Sequence, residues 1–336
     1  MSLVRHSSLF GMPLAAALLL LLGGGCSSMR GPAEHTVRPG WHRHTVPVRV
    51  QGRRRHYRVY VPAGHTPARA APVVVVLHSA FSSGRELAAW SGLNAHADRD
   101  GVLVVYPEGF GIFGRLQHWN AGHCCGRAAR RDIDDMGYLE HVVADVRTRF
   151  TTDGRNLYLV GYSNGGMMAH RFAATSSVPV AAIAVVAGPV GSSTSEDAPV
   201  VTLPAPARTV PALLVHGTAD AHIPYAGGAG PRNPGRRYVP AIETARFWAR
   251  ANGLADTPAR LTPAGRGIEG RAWGAGVPGR EVVMLSLEGW DHAWPGGTFT
   301  ARLDPEHPLH RFETGVVIWS FFRRHGLPRG QAGDED

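Results

Sequence analysis

Lysine is absent from this 336-residue chain, so all 35 basic residues are arginine. Against 26 acidic residues they leave a formal net charge of +9. Such a surplus raises nucleic acid as a partner, but the sequence has no basic helix and no basic patch interleaved with aromatics. The densest run, Arg53-Arg54-Arg55, falls between two strand-like segments and reads as a solvated hairpin turn. Cysteine is scarce, with only Cys26, Cys124 and Cys125. A disulfide-stapled scaffold is therefore excluded, and the fold must rest on a hydrophobic core. A helical His-Glu-x-x-His motif is lacking, as is any Cys/His ligand spacing, so no metal and no cofactor are expected. There is no internal repeat and no sign of a second domain. The apolar and charged fractions are those of a globular protein.

The longest apolar run, Leu14 to Leu22, is too short to span a membrane. It follows Arg5 and His6 and precedes Gly23-Gly24-Gly25-Cys26-Ser27-Ser28. A polar start, a short apolar core and small residues make residues 1–26 a signal peptide. The small residues before Cys26 resemble a bacterial lipoprotein cleavage site, although Gly23 stands where leucine is usual. Lipidation at Cys26 and ordinary signal-peptidase cleavage both remain open, and either exports the mature chain. The membrane is then met only through the lipid. Residues 27–44, rich in Pro, Gly, His and Arg, read as a flexible tether. Residues 329–336 read as a disordered tail.

Between them, residues 45–328 carry the signals of one α/β domain. Thr45–Val50 and His56–Val61 alternate apolar and polar residues and predict an antiparallel pair. Pro72–His78, Val102–Tyr106, Ala181–Ala187, Ala212–His216 and Glu281–Leu287 are apolar runs of the kind buried on both faces of a parallel sheet. Helices are predicted over Ser83–Asp98, Met136–Phe150, Val239–Asn252 and Glu313–His325. Ser83 is a cap for the first, and Asp134 and Asp135 sit at the positive end of the second. Glu108–Asp132 and Gly188–Thr209 read as long loops. Strands alternating with helices make a mostly parallel sheet with helices on both faces.

Gly161-Tyr162-Ser163-Asn164-Gly165 sits between a short apolar run, Arg155–Val160, and helix-forming residues from Met167 onward. Strand, sharp turn and helix form the setting in which Gly-x-Ser-x-Gly presents a serine hydroxyl clear of a sheet. Serine is a weak nucleophile at neutral pH and needs a base, which in turn needs an orienting group. Asp220 and His292 follow two later strands, in the order Ser, acid, His that this architecture uses. Asp291 adjoins His292, but an immediate neighbour rarely reaches the far imidazole nitrogen. His216 reads as a packing residue at a strand end, and His170, in the helix after the serine, as facing either packing or solvent. An acyl-transfer site also needs an oxyanion hole. Its donors are expected to be the backbone N–H groups of Asn164 and Ala80.

Several segments together resemble the extracellular esterase family containing polyhydroxybutyrate depolymerases, feruloyl esterases and acetylxylan esterases. They are Leu77-His78-Ser79-Ala80, Trp119-Asn120-Ala121-Gly122-His123-Cys124-Cys125-Gly126, Ile133-Asp134-Asp135-Met136, the elbow around Ser163, His216-Gly217-Thr218-Ala219-Asp220 and His292-Ala293-Trp294-Pro295-Gly296. They span about Pro72 to Phe322, and the Trp-Asn to Cys-Cys-Gly block is more specific than the elbow. The resemblance implies the α/β-hydrolase fold, Ser163 as nucleophile, Asp220 as acid and His292 as base. Ser79 departs from the family, which usually has glycine there, and puts a side chain beside the oxyanion loop.

The expected protein is thus an exported, monomeric serine esterase acting on a small or oligomeric ester. Feruloyl, acetyl and hydroxyalkanoate oligomer esters all fit. The chain's end soon after its last helix, with no appended β-rich module, points away from a solid polymer. Trp119 and Trp294 are candidates for the substrate pocket. A peptidase or acyltransferase on the same fold, and a non-catalytic envelope lipoprotein, are the competing readings. Cys124 and Cys125 have Cα atoms closer than an ordinary disulfide prefers. They are expected either as a bonded pair, favoured by export, or as two packed thiols.

Overall fold

The computed structural model describes residues 37–112, 115–261 and 265–328. The leader with Cys26, the first part of the tether and the C-terminal tail lie outside the described residues. What is described forms one compact unit around a ten-stranded sheet. Six central strands run parallel, in the spatial order Leu103–Pro107, Ala71–Leu77, Thr152–Tyr162, Ala182–Val186, Ala212–Gly217 and Val282–Leu287. Antiparallel strands close both edges. His56–Val61 and Gly40–Thr45 lie beyond Leu103–Pro107, and Ile268–Trp273 and Ala259–Leu261 lie beyond Val282–Leu287.

The apolar runs are continuous because both faces are covered. In Ala71–Leu77 every residue is buried. Alternation then sends Val73, Val75 and Leu77 to one face and Val74 and Val76 to the other. On the first face they meet helices Asp135–Arg149, Asn164–Thr175 and Ala241–Ala251, through residues such as Leu139, Phe172 and Trp248. On the second they meet Gly84–Ser91, Leu93–Asp100 and Thr314–Arg324, through Leu87, Trp319 and Phe322. Each fully buried valine contributes roughly 1.5–3 kcal/mol relative to exposure, which is how a core without staples holds this sheet.

Three expectations need correction, and one strand was missed. The edge hairpin starts earlier than Thr45: Gly40–Thr45 is the strand, in register with His56–Val61, and Trp41 packs on Tyr60 and Tyr106. Its His, Arg and Thr residues hid a real alternation, so the tether ends before Gly40. The helix predicted over Ser83–Asp98 is two helices, broken at Gly92, whose φ of 67° is left-handed. Ser83 does cap the first, accepting from the Glu86 N–H at 3.3 Å. The described residues of the Glu108–Asp132 stretch, read as a loop, hold two antiparallel strands, Phe110–Ile112 and Arg115–His118, and a short helix, Gly126–Arg130. Finally, Ile268–Trp273, which carries Glu269 and Arg271 at alternate positions and pairs with Val282–Leu287 on one side and Ala259–Leu261 on the other, was not legible as a strand.

Candidate active site

The strand Thr152–Tyr162 delivers Ser163 into a left-handed turn, φ 54° and ψ −120°, at the N-terminus of the twelve-residue helix Asn164–Thr175. Close approach explains the flanking glycines. A Cβ on Gly165 would lie 2.1 Å from the Leu77 carbonyl oxygen, and one on Gly161 would lie 2.4 Å from that of Gly165. The Ser163 N–H donates to the Val186 carbonyl at 2.8 Å, which ties the turn to the neighbouring strand.

Asp220 and His292 sit on turns after the adjacent parallel strands Ala212–Gly217 and Val282–Leu287. The two turns are laced together. Ala219 N–H donates to the Trp290 carbonyl and Gly289 N–H to Thr218 Oγ1. Gly217 makes this possible, since a Cβ there would meet the Trp290 carbonyl oxygen at 2.1 Å.

The structure brings the three residues together. His292 Nε2 lies 2.9 Å from Ser163 Oγ, and His292 Nδ1 lies 2.6 Å from Asp220 Oδ2. Asp220 Oδ1 accepts from the N–H groups of His222 and Ile223, at 2.9 and 2.8 Å. Burial opposes its ionisation. Hydrogen bonds from His216 and His292, the charge of His292 and the Ile223 N–H outweigh burial and hold the carboxyl below the usual carboxylate range. Asp291 faces elsewhere: its oxygens accept from the Ala221 N–H and pair with Arg232 at 2.7 Å. With Nδ1 anchored to the acid, His292 presents Nε2 to the serine, the arrangement a general base requires.

His216 lies closer to the site than a packing residue would. Its Nε2 is 3.2 Å from Asp220 Oδ2 and 2.9 Å from the Ile223 carbonyl, and two acceptors fix that nitrogen as the donor. Tyr162 was not anticipated either; its hydroxyl donates to the His292 carbonyl at 2.9 Å and its ring stacks on the imidazole. The sequence signals for His216 are its place four residues before Asp220 and its membership of the His216–Asp220 segment that carries the resemblance, and Tyr162 occupies a variable position of the elbow motif. His170 is buried, between the Gly188 carbonyl and the Trp248 indole N–H, away from the serine.

Ser163 and His292 open onto a cleft of about 580 Å³. Ser79, Ala80 and Asn164 line it as well. Neither the Ala80 nor the Asn164 N–H has a protein acceptor among the described residues. The helix behind Asn164 adds its positive end.

The pocket tryptophans are corrected. Trp119 and Trp294 are both fully buried and neither lines the cleft. Trp119 is a fastener: its backbone N–H and carbonyl both bond the Asn164 side chain, at 2.8 and 3.0 Å, and its indole N–H donates to the His78 carbonyl. It thereby ties the elbow to the oxyanion loop. Trp294 packs edge-on to Tyr162. A large aromatic in a distinctive motif need not face the substrate: the indole and the backbone of Trp119 are both engaged inside. The cleft takes its aromatic and apolar surface from Phe81, Met167, Ile223 and Tyr238 instead. The Trp119–Gly126 block still reaches the cleft through Cys125 and Gly126. The sulfurs of Cys124 and Cys125 are in bonding contact.

Residues 55–228 match the family described as Esterase PHB depolymerase. NocK of Nocardia uniformis subsp. tsuyamanensis, which carries the name of an esterase, is 32% identical over 272 residues, covering 76% of this chain and 75% of that one. Feruloyl esterase B of Piromyces equi is 27% identical over 238 residues, covering 70% of this chain and 42% of that one. Among solved structures, the acetyl xylan esterase from Aspergillus awamori superposes with a TM-score of 0.57 at 16% identity, over 85% of this chain and 99% of that one, a likeness of fold.

Proposed function

This chain belongs to the esterase PHB depolymerase family and is a carboxylic ester hydrolase, and we propose that it acts as an exported serine esterase with Ser163 as nucleophile, His292 as base and Asp220 as acid. The observation that carries this reading is the unbroken hydrogen-bond chain Ser163 Oγ, His292, Asp220. In the first half-reaction Ser163 Oγ attacks the ester carbonyl while His292 Nε2 takes the hydroxyl proton. Asp220 holds the imidazole and stabilises its charged form. The tetrahedral oxyanion is received by the Ala80 and Asn164 N–H groups. His292 returns the proton to the leaving alcohol, and the acyl-enzyme forms. Water, deprotonated by His292, attacks the acyl carbon, and collapse of the second intermediate frees the acid and restores Ser163.

The cleft narrows the substrate. Its open form and mixed lining suit soluble or oligomeric esters of the feruloyl, acetyl or hydroxyalkanoate kind. Arg130, Arg232 and Arg236 line it with no carboxylate among the described lining residues. Arg232 is paired with Asp291 and Arg236 bonds the His123 carbonyl, whereas Arg130 makes no ion pair among the described residues. A free guanidinium at the mouth favours an ester bearing its own carboxylate, as a hydroxyalkanoate oligomer does.

Export rests on the leader and on Cys26, which lie outside the described residues. No described helix is long and apolar enough to cross a membrane. The test of function is a panel of p-nitrophenyl acetate, methyl ferulate and a 3-hydroxybutyrate oligomer beside a peptide amide. Hydrolysis of at least one ester and not of the amide is expected. Amide cleavage without ester hydrolysis would replace this reading with a peptidase.

A further inference from the structure

A second cavity, of about 340 Å³, lies away from the serine, beside the sheet edge and the Phe110–Ile112 hairpin. Six guanidiniums line it, those of Arg43, Arg53, Arg54, Arg55, Arg58 and Arg85. Among the described residues, two carboxylates answer them. Asp135 pairs with Arg55 at 2.8 Å, and Glu108 stands 3.6 Å from Arg58 Nε. Glu108 is further occupied by the Gly84 N–H and the Gln117 amide. Arg43, Arg53, Arg54 and Arg85 have no carboxylate partner among the described residues, which leaves a formal surplus of four positive charges around one hollow.

Arg55 is the second, independent observation. It is only 6% exposed, its Nη2 is used by Asp135 and the Glu108 carbonyl, and its guanidinium stacks on Tyr138. Its Nε and Nη1 are buried with no hydrogen-bond partner among the described residues. A buried donor without an acceptor is unfavourable, and most such groups in native proteins are satisfied by a protein group, water or ligand. Guanidinium forks match the paired oxygens of phosphate, an arrangement a single ammonium cannot reproduce.

We propose that this arginine-lined cavity binds a small polyanion with two or more phosphate-type charges. The run Arg53-Arg54-Arg55, a solvated turn by sequence alone, supplies half of the guanidiniums. The phosphate is that of a soluble diphosphate or of a lipid headgroup, and the two sources are separable.

Two arms test the site. One titrates the purified protein with inorganic pyrophosphate by calorimetry. The other sediments it with phosphatidylcholine vesicles, with and without phosphatidic acid. The exposed pair Arg43→Ser/Arg54→Ser removes two cavity guanidiniums. Arg69→Ser/Arg302→Ser removes the same charge outside the cavity, and circular dichroism confirms that both variants fold. Saturable one-site binding of pyrophosphate is expected, weakened about tenfold or more by the cavity pair, since each guanidinium makes a charge-assisted contact, and far less by the control pair. Capture by phosphatidic acid vesicles alone, lost in the cavity pair, assigns the ligand to a lipid headgroup. Absence of binding in both arms, or equal weakening by the two pairs, overturns the proposal.

Discussion

His216 Nε2 stands 3.2 Å from Asp220 Oδ2, the oxygen that also faces His292 Nδ1. Among the described residues, every polar contact of this carboxylate is therefore with an N–H donor, two imidazoles on one oxygen and two backbone amides on the other. An amide in its place would aim its NH₂ at a donor whichever way it flipped. Asp220→Asn should cost on the order of 10⁴ in turnover, through loss of the orienting charge. Asp291→Asn, which breaks an exposed pair with Arg232, should cost far less. Greater damage from Asp291→Asn, measured as kcat on one ester, would show that the acid is misassigned.

The parallel character of the sheet, most of its buried strands and the three candidate catalytic residues were legible because each rests on a local pattern, whereas the order of the strands across the sheet was not. Val73–Leu77 is apolar at every position, and Ser163 is fenced by glycines that a tight turn demands. The roles of Trp119, His216 and Tyr162 were not legible, since each depends on a partner more than forty residues away or on which side of a strand end it falls. Trp119 is held by Asn164 and His78, and no periodicity encodes that.

Acid stability should be governed in part by buried imidazoles. Burial pushes His78 and His170 down to about 4 and His123 to about 3. An unfolded histidine titrates near about 6.5. Below that pH the unfolded chain takes up protons that the folded chain refuses. The contribution of these neutral rings is complete above about pH 6.5 and is lost as pH falls toward the folded values. The melting temperature should decline continuously over that window, and His170→Gln should reduce the slope. A melting temperature constant from about pH 6.5 to 4 would contradict this reading.

Cys125 lines the cleft and Cys124 is buried behind it. If the two sulfurs are bonded in the mature protein, alkylation without reductant should modify no thiol there. Mild reduction should then expose two, and because the pair borders the substrate it should change relative rates on short and bulky esters more than it lowers the melting temperature. Two thiols alkylated before any reductant is added would leave packing alone to order the loop.

Export as a lipoprotein predicts a mature N-terminus at Cys26, bearing lipid and partitioning with membranes. Cys26→Ala should yield soluble and still active enzyme, because Ser163, Asp220 and His292 all lie in the compact unit that begins beyond the leader. Mass spectrometry of the mature protein decides the matter, and an unlipidated N-terminus would indicate ordinary secretion.

The central claim is that Ser163 is the nucleophile, and the direct measurement is covalent labelling with a fluorophosphonate followed by peptide mapping. The probe reports a serine activated by its base, a state that a bystander hydroxyl does not reach. One adduct is expected, on Ser163, together with loss of ester hydrolysis. Ser163→Ala, a small change at a turn, should fold, take no label and lose several orders of magnitude in activity. An adduct on another residue, or equal labelling and turnover in Ser163→Ala, would contradict the account.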